Sequence, residues 1–191
     1  MRLGDSHKPF WLLLAAVLGA VGVWLYAQRV LVSYQIADAA AKLPLIASSR
    51  LVPAGNYHLT LAFVGEVAAS RLPDLLHIGH VRQAPCCALT LDGYEYWAHS
   101  RVVVAAAREI PPALLEFWEQ LHRDLGLQLR SDLRAHVTLA RKVVQAPVLP
   151  AMSPIAWRTS RFGLYRSESS GAASAYTVVD TWPLLDESKI P

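Results

Sequence analysis

The chain of 191 residues is poor in cysteine, the residue that builds disulfide-stapled domains and many metal centres. Its two cysteines, Cys86 and Cys87, are adjacent, so they cannot form an ordinary structural disulfide, and they indicate a reducing compartment. His77 and His80 are three residues apart on a predicted helix, but they form no convincing metal-ligand spacing, so we place them on the helix surface. The sequence therefore predicts no metal and no cofactor.

Strong charge and nucleotide-binding loops are also missing. A net charge of +3 permits an anionic ligand but does not indicate a basic coat that wraps nucleic acid. The sequence contains no Gly-rich nucleotide loop and no nucleophile elbow. Its length suits one domain, or one domain with an appendage, and is enough to bury a core without disulfides.

The longest apolar run lies near the N-terminus. Residues 10–27 contain no charge, and Trp11, Trp24 and Tyr26 lie near its ends, as interfacial aromatic residues do. The run fits a membrane anchor, a signal peptide, or a buried strand and helix of the globular domain. We favour the anchor, which predicts membrane association through residues 10–27. The chain then divides into an apolar segment, 1–28, and a cytoplasmic active domain, 29–191, tethered to the inner membrane.

The remainder alternates between strand and helix patterns. Helices are predicted in the Ala-rich part of residues 29–43, at 68–80, and from Pro111 and Pro112 to a stop at Gly126. Residues 93–97 are interpreted as an aromatic loop. Strands are predicted at residues 57–63, 87–91, 101–107, 135–140, 161–166 and 175–180. This order predicts an α+β fold with largely antiparallel sheets and a degree of internal pseudo-symmetry.

One short motif occurs twice, as His58-Leu59-Thr60-Leu61 and as His136-Val137-Thr138-Leu139. Each copy lies in a predicted strand, where a His and a Thr two residues apart point to the same face. A single histidine in a strand is usually structural, but two copies in the same context favour catalysis. Two such strands would bring two imidazoles and two hydroxyls to one cleft.

This set of groups suits the opening of a cyclic phosphodiester. One imidazole would deprotonate water and the other would protonate the departing ribose oxygen, because histidine titrates near neutrality. The threonine hydroxyls would hold the non-bridging phosphate oxygens. Arg141 lies five residues after His136, so in a straight strand it points to the opposite face, and only a bend would turn it towards the phosphate.

With these motifs in their context, the chain resembles the 2H phosphoesterase superfamily, and within it the bacterial RNA 2′,3′-cyclic phosphodiesterase family, also called 2′-5′ RNA ligases. The resemblance covers about residues 50–184. It is carried by RLVPAGNYHLTLAFVGEV from residue 50, LTLDGYEYW and SRVVV in the middle, HVTLAR from residue 136, and FGLYRSES and AYTVVDTWPL near the end.

The resemblance implies two pseudo-symmetric lobes of mainly antiparallel sheet, with helices outside and the active-site cleft between the lobes. It implies metal-independent hydrolysis of ribose 2′,3′-cyclic phosphates at RNA or nucleotide ends to 2′-phosphates. His58 would be the acid on the 3′-oxygen and His136 the base, although the two roles could be exchanged. Thr60, Thr138 and Arg141 would bind the phosphate. We expect a monomer.

The sequence departs from the family pattern in two places. The approach to the second motif is Asp132-Leu133-Arg134-Ala135 in place of a Phe- and Pro-rich segment, and we predict that Arg134 is solvated. The family's first strand begins about 35 residues before the first histidine, which falls near residues 23–26. Either VGVWLY is that strand and residues 1–20 are an extension, or a membrane helix replaces it.

Two other functions stay open from the sequence. The first is ATP-independent 2′-5′ ligation, in which an RNA hydroxyl takes the place of water in the reverse reaction. The second is a non-catalytic protein that binds RNA ends.

Overall fold

The computed structural model describes residues 17–26, 30–46, 48–129, 132–170 and 173–186. The helices are α1 (Val30–Ala41), α2 (Leu72–Val81) and α3 (Pro112–Leu125). The strands are β1 (Val17–Tyr26), β2 (Arg50–Leu51), β3 (His58–Ala68), β4 (Ala88–Leu91), β5 (Gly93–Trp97), β6 (Val102–Ala106), β7 (His136–Arg141), β8 (Ile155–Arg158), β9 (Arg161–Ser170) and β10 (Ala173–Pro183).

Most strands join one antiparallel sheet. Its order is β10-β9-β1-β3-β7-β6-β5, and the short β2 also pairs with β7. β4 and β8 form a separate two-stranded antiparallel sheet. The α+β class and the mainly antiparallel sheet are as predicted. The two motif strands, β3 and β7, lie side by side at the centre, where the two halves of the sheet meet.

The helices cover one face of this sheet. α1 contacts β7, α3 contacts β3, and α2 contacts β9 and β10. Leu59, Leu61, Val137 and Leu139 point into this helical side and are at most 2% exposed. Because side chains alternate along a strand, the histidines and threonines between these residues point to the other face, which the helices leave open.

The apolar N-terminal segment contributes a central strand. β1 lies between β3 and β9, and its residues Val21, Val23, Trp24 and Leu25 are buried. The preferred interpretation as a membrane helix is therefore wrong for residues 17–26, and VGVWLY belongs to the first strand. Among the described residues, no helix is long and apolar enough to cross a membrane. Residues 1–16 and 27–29 lie outside the described residues.

A buried central strand is apolar on both faces, which explains the mistaken interpretation. One face of β1 packs on the core beneath the helices. On the other face, the Trp24 indole stacks on the Tyr165 ring at a centroid distance of 4.8 Å. The run of apolar residues therefore has no polar positions that would separate a strand from a membrane helix.

Other sequence predictions hold at the level of elements. The helix that begins at the Pro111–Pro112 pair ends at Gly126 as predicted, and Gly126 has a left-handed φ of 69°. Residues 93–97, three of which are aromatic, form β5 and not a loop, because they pair with β6 along their whole length. β8 was not predicted; it pairs with β4, which corresponds to the predicted strand 87–91.

Helix α2 is held against the sheet by a contact between Gly79 and Trp182. A Cβ added at Gly79 would overlap the Trp182 ring, which is 7% exposed. The Trp182 Nε1–H also donates to His80 Nδ1 at 3.1 Å, so the ring is fixed from two directions. His80 thus has a structural partner, whereas His77 is exposed.

We expect Gly79→Ala to destabilise the protein by about 1–3 kcal/mol, since the added methyl group would overlap a fixed buried ring. In an unpacked helix the same change would stabilise the fold by about 1 kcal/mol, so the sign of the effect is decisive. Denaturant unfolding measures it, with His77→Ala on the same helix as control. An increase in stability of the Gly79 variant would contradict this packing.

Candidate active site

The two motifs meet through one pair of residues. β3 and β7 are antiparallel, and Leu59 lies opposite Val137. These are the residues between His and Thr in each motif. The register therefore sets His58 on the side of Thr138 and Thr60 on the side of His136. Both imidazoles and both hydroxyls lie on the open face of the sheet, as the motif pattern predicted.

Each motif strand has a register irregularity at the same point. In β3, Thr60 pairs with Trp24 and Ala62 with Val23, so Leu61 is passed over. In β7, Thr138 pairs with Val104 and Ala140 with Val103, so Leu139 is passed over. An extra residue of this kind is a β-bulge, which shifts the alternation of side chains beyond it. In both strands the two residues after Thr are buried in succession.

The shift brings the sixth residue of each motif to the open face. In β7 this residue is Arg141, which pairs with Val102. Val102, Val104 and Ala106 form a small apolar cluster separate from the main core, and they are the partners of Arg141, Thr138 and His136. Arg141 therefore shares the face of the motif, because the bulge supplies the bend that its sequence position requires.

In β3 the corresponding sixth residue is Phe63. Its ring is 64% exposed although it is large and apolar. Phe63 and Arg141 thus occupy equivalent positions in the two halves, one with an aromatic ring and one with a cation. The motif that matters in three dimensions has six residues, and its last position differs in chemistry between the copies.

Backbone carbonyls hold both imidazoles in the same orientation. His58 Nδ1 lies 2.7 Å from the Asn56 carbonyl oxygen, and His136 Nδ1 lies 2.6 Å from the Arg134 carbonyl oxygen. A carbonyl can only accept, so each Nδ1–H is the donor. In the neutral ring Nε2 then carries no proton and is free to accept one. Each imidazole is thereby prepared for proton transfer at Nε2.

A tryptophan packs against each imidazole. The Trp24 ring stacks on His58 at 4.2 Å between centroids with an interplanar angle of 25°. Trp97 lies 4.3 Å from His136. The Tyr176 ring also contacts His58 in an edge-to-face arrangement, with 5.0 Å between the ring centroids. Sequence reasoning missed both tryptophans, because Trp24 was assigned to a membrane interface and Trp97 to a loop.

Burial lowers the pKa of both histidines. The pKa of His58 falls to about 4, chiefly because burial disfavours the imidazolium; the Asn56 carbonyl opposes this, and Arg141 and His136 lower it further. Burial likewise lowers the pKa of His136, where the Arg134 carbonyl and Glu95 oppose it and the charges of Arg134 and Arg141 add to it. The neutral form of both imidazoles is therefore favoured at pH 7 in the free protein.

Arg134 is tied to the surroundings of His136. Its guanidinium pairs with the Glu95 carboxylate and lies over the Trp97 ring, with Cζ 4.7 Å from the ring centroid. Trp97 Nε1–H donates to the same carboxylate at 2.7 Å. The side chain of Arg134 is 61% exposed, as expected for a solvated residue, but it has specific partners.

Comparison with known proteins identifies the family of this chain. The LigT like Phosphoesterase family matches residues 32–104. The RNA 2′,3′-cyclic phosphodiesterase of Escherichia coli (strain K12) is 34% identical over 143 residues, which cover 72% of this chain and 81% of that protein. The chain belongs to the LigT-like phosphoesterase family.

Further likenesses support this membership. The RNA 2′,3′-cyclic phosphodiesterase of Thermus thermophilus is 32% identical over 151 residues, which cover 71% of this chain and 76% of that one. The crystal structure of E. coli LigT complexed with 3′-AMP superposes with a TM-score of 0.76 and 30% identity, covering 87% of this chain and 98% of that chain. In this LigT-like chain, no cluster of three or more potential metal ligands occurs among the described residues.

The two histidines should titrate differently because Glu95 favours the imidazolium of His136, whereas within the described residues the charges that act on His58 are those of Arg141 and His136. We expect His58 to titrate near pH 4 in the free protein. Replacing Glu95 by Gln should lower the pKa of His136, since Glu95 favours its imidazolium. NMR titration of the imidazole C–H signals measures both values, with the exposed Glu66→Gln as control. A His136 pKa that stays constant or rises in the Glu95 variant would contradict this electrostatic account.

Proposed function

We propose that this LigT-like phosphoesterase hydrolyses ribose 2′,3′-cyclic phosphates at RNA or nucleotide ends to 2′-phosphates. The observation that carries the proposal is the antiparallel pairing at Leu59 and Val137. This pairing sets two imidazoles with accepting Nε2 atoms on one open face, together with two hydroxyls and Arg141. The names of the E. coli and T. thermophilus relatives support the same reaction.

The reaction needs one proton removed and one delivered. Water attacks phosphorus while its proton passes to Nε2 of one histidine, and the bond from phosphorus to the 3′-oxygen breaks. The other histidine, protonated at Nε2, gives its proton to that oxygen. The product carries a 2′-phosphate, and a proton exchange with solvent restores the starting state of the two imidazoles.

Thr60, Thr138 and Arg141 would stabilise the charge that builds on the non-bridging oxygens. The hydroxyls can donate to these oxygens, and the guanidinium adds a charge-assisted hydrogen bond. The bound anion also offsets the effect of Arg141 on the histidines, so it raises the pKa of the acid in the complex. The exposed Phe63 ring offers a flat surface on which a nucleobase can stack.

Either histidine can serve as the acid in this geometry, because both use the same tautomer. The family resemblance favours His58 as the acid and His136 as the base. The charges in the free protein favour the opposite assignment, since Glu95 opposes the lowering of the His136 pKa, whereas Arg141 and His136 lower the pKa of His58 further. The assignment therefore needs a direct chemical test.

The alternatives have less support. Ligation and binding without turnover are not favoured, because the curated relatives are named as phosphodiesterases. Membrane tethering has lost its basis in residues 17–26, which form β1. The expectation of a monomer remains a prediction.

Replacing either His58 or His136 by Ala should reduce hydrolysis of a 2′,3′-cyclic nucleotide by about 10²–10⁴-fold, the usual contribution of a general acid or base. Steady-state assays measure the loss, and circular dichroism checks that the fold is retained. His77→Ala, an exposed histidine outside the cleft, is the control. Near-normal rates in both cleft variants would rule out this mechanism.

A substrate with sulfur in place of the 3′-oxygen separates acid from base. A thiolate leaves without protonation, so the variant that lacks the acid should regain most of its activity on this substrate. The variant that lacks the base should stay slow, because water still needs to be deprotonated. Equal recovery, or no recovery, in the His58→Ala and His136→Ala variants would contradict the division of roles.

A further inference from the structure

Arg50 lies directly opposite Arg141. β2 pairs with β7 so that Arg50 faces Arg141 and Leu51 faces Ala140. Opposite residues in an antiparallel pair share a face of the sheet. Arg50 is therefore on the open face, beside the arginine that acts electrostatically on both motif histidines. Like charges in such a pair repel, so the arrangement favours an anion that both can contact.

Two further cations stand at the same end of the sheet. Arg101 precedes β6 and Lys142 follows β7, and the Val143 N–H donates to the Arg101 carbonyl at 3.0 Å. We call Arg50, Arg101, Arg141 and Lys142 the basic rim. All four are exposed, and none has an ion pair within the described part of the chain. The neighbouring residues 48–52, 98–104 and 140–147 include no Asp or Glu.

The backbone at the rim is also unusual. Arg101 has a φ of 54° and Lys142 a φ of 59°, and in the described residues these are the non-glycine positions with positive φ. A left-handed conformation costs a residue with a Cβ roughly 1–2 kcal/mol, so glycine would fit better at each position. The chain keeps cations there, beside the candidate site, which is where backbone strain tends to accompany function.

We propose that Arg50, with the basic rim, forms a subsite for the backbone phosphate next to the terminal cyclic phosphate, and that this subsite is what distinguishes an RNA end from a free cyclic nucleotide. This inference rests on the proposed function. Arg141 and the two threonines suffice to bind one phosphate. The three other cations of the basic rim would be balanced by a second negative group of the substrate. A cyclic mononucleotide has no second phosphate, but an RNA strand provides one at each nucleotide.

The rim also indicates where the strand leaves the cleft. The position equivalent to Arg141 in β3 is Phe63, so the side of β3 presents an aromatic ring in place of the cation. The terminal base would lie towards Phe63, and the chain would leave across β7 and β2. The charge asymmetry of the two halves thus predicts a single direction for bound RNA.

The test compares two substrates on full-length protein: a cyclic mononucleotide and a short oligoribonucleotide that ends in a 2′,3′-cyclic phosphate. In the unaltered protein we expect a higher kcat/KM for the oligonucleotide. Arg50→Gln should lower the ratio of the two kcat/KM values by about 5–10-fold, mainly through KM, because a charge-assisted phosphate contact is lost. Arg123→Gln is the control, because it removes one positive charge from an exposed residue of α3. It should leave the ratio constant.

Salt dependence gives a second readout. The slope of log(kcat/KM) against log[salt] for the oligonucleotide should become shallower by about 0.7 in the Arg50 variant, as expected for one lost contact to a single strand. If Arg50→Gln lowers both substrates equally, or neither, the inference is overturned while the proposed hydrolysis stands.

If no substrate is hydrolysed by the unaltered protein, the proposed function fails. The rim is then tested by binding of an oligonucleotide with a 2′-phosphate end. Weaker binding by the Arg50 variant than by the Arg123 control supports the RNA subsite, and equal binding overturns it.

Discussion

The antiparallel pairing of β3 with β7 is the constraint on which the site depends. Leu59 and Val137 face each other and are fully buried. The residues on either side of them must then point away from the core. A slip of one residue in either strand would exchange the faces, burying the imidazoles and exposing leucine and valine. Burial of apolar side chains on the helical side thus holds the polar groups together on the open side.

The two halves of the site are alike in backbone and different in charge. Each histidine donates to the carbonyl two residues before it, packs against a tryptophan, and precedes a bulge. Beside His136, the Trp97 indole N–H also donates to the Glu95 carboxylate, which pairs with Arg134. The repeated backbone sets two imidazoles in equivalent positions, and their unequal surroundings act differently on their pKa values, as the proposed acid–base pair would require.

The N-terminal segment shows how similar a buried strand and a membrane helix are in sequence. Both need an uninterrupted run of apolar residues because neither meets water along its length. Trp24 illustrates the difference that tertiary structure makes. In a membrane helix it would mark an interface, but in β1 it lies between Tyr165 and the imidazole of His58. A segment that the sequence pattern separates from the chemistry therefore forms part of the wall of the site.

From the sequence alone, the repeated His-x-Thr-Leu motif determined which residues are the candidate catalytic groups, and strand periodicity determined that His and Thr share a face. These features are local, since two residues of one strand set them. The side of the sheet on which Arg141 lies, the tryptophans behind the imidazoles and the Arg134–Glu95 pair were decided only by tertiary structure. Each depends on which strands become neighbours and on a bulge whose position follows from packing across strands, and no local pattern records that information.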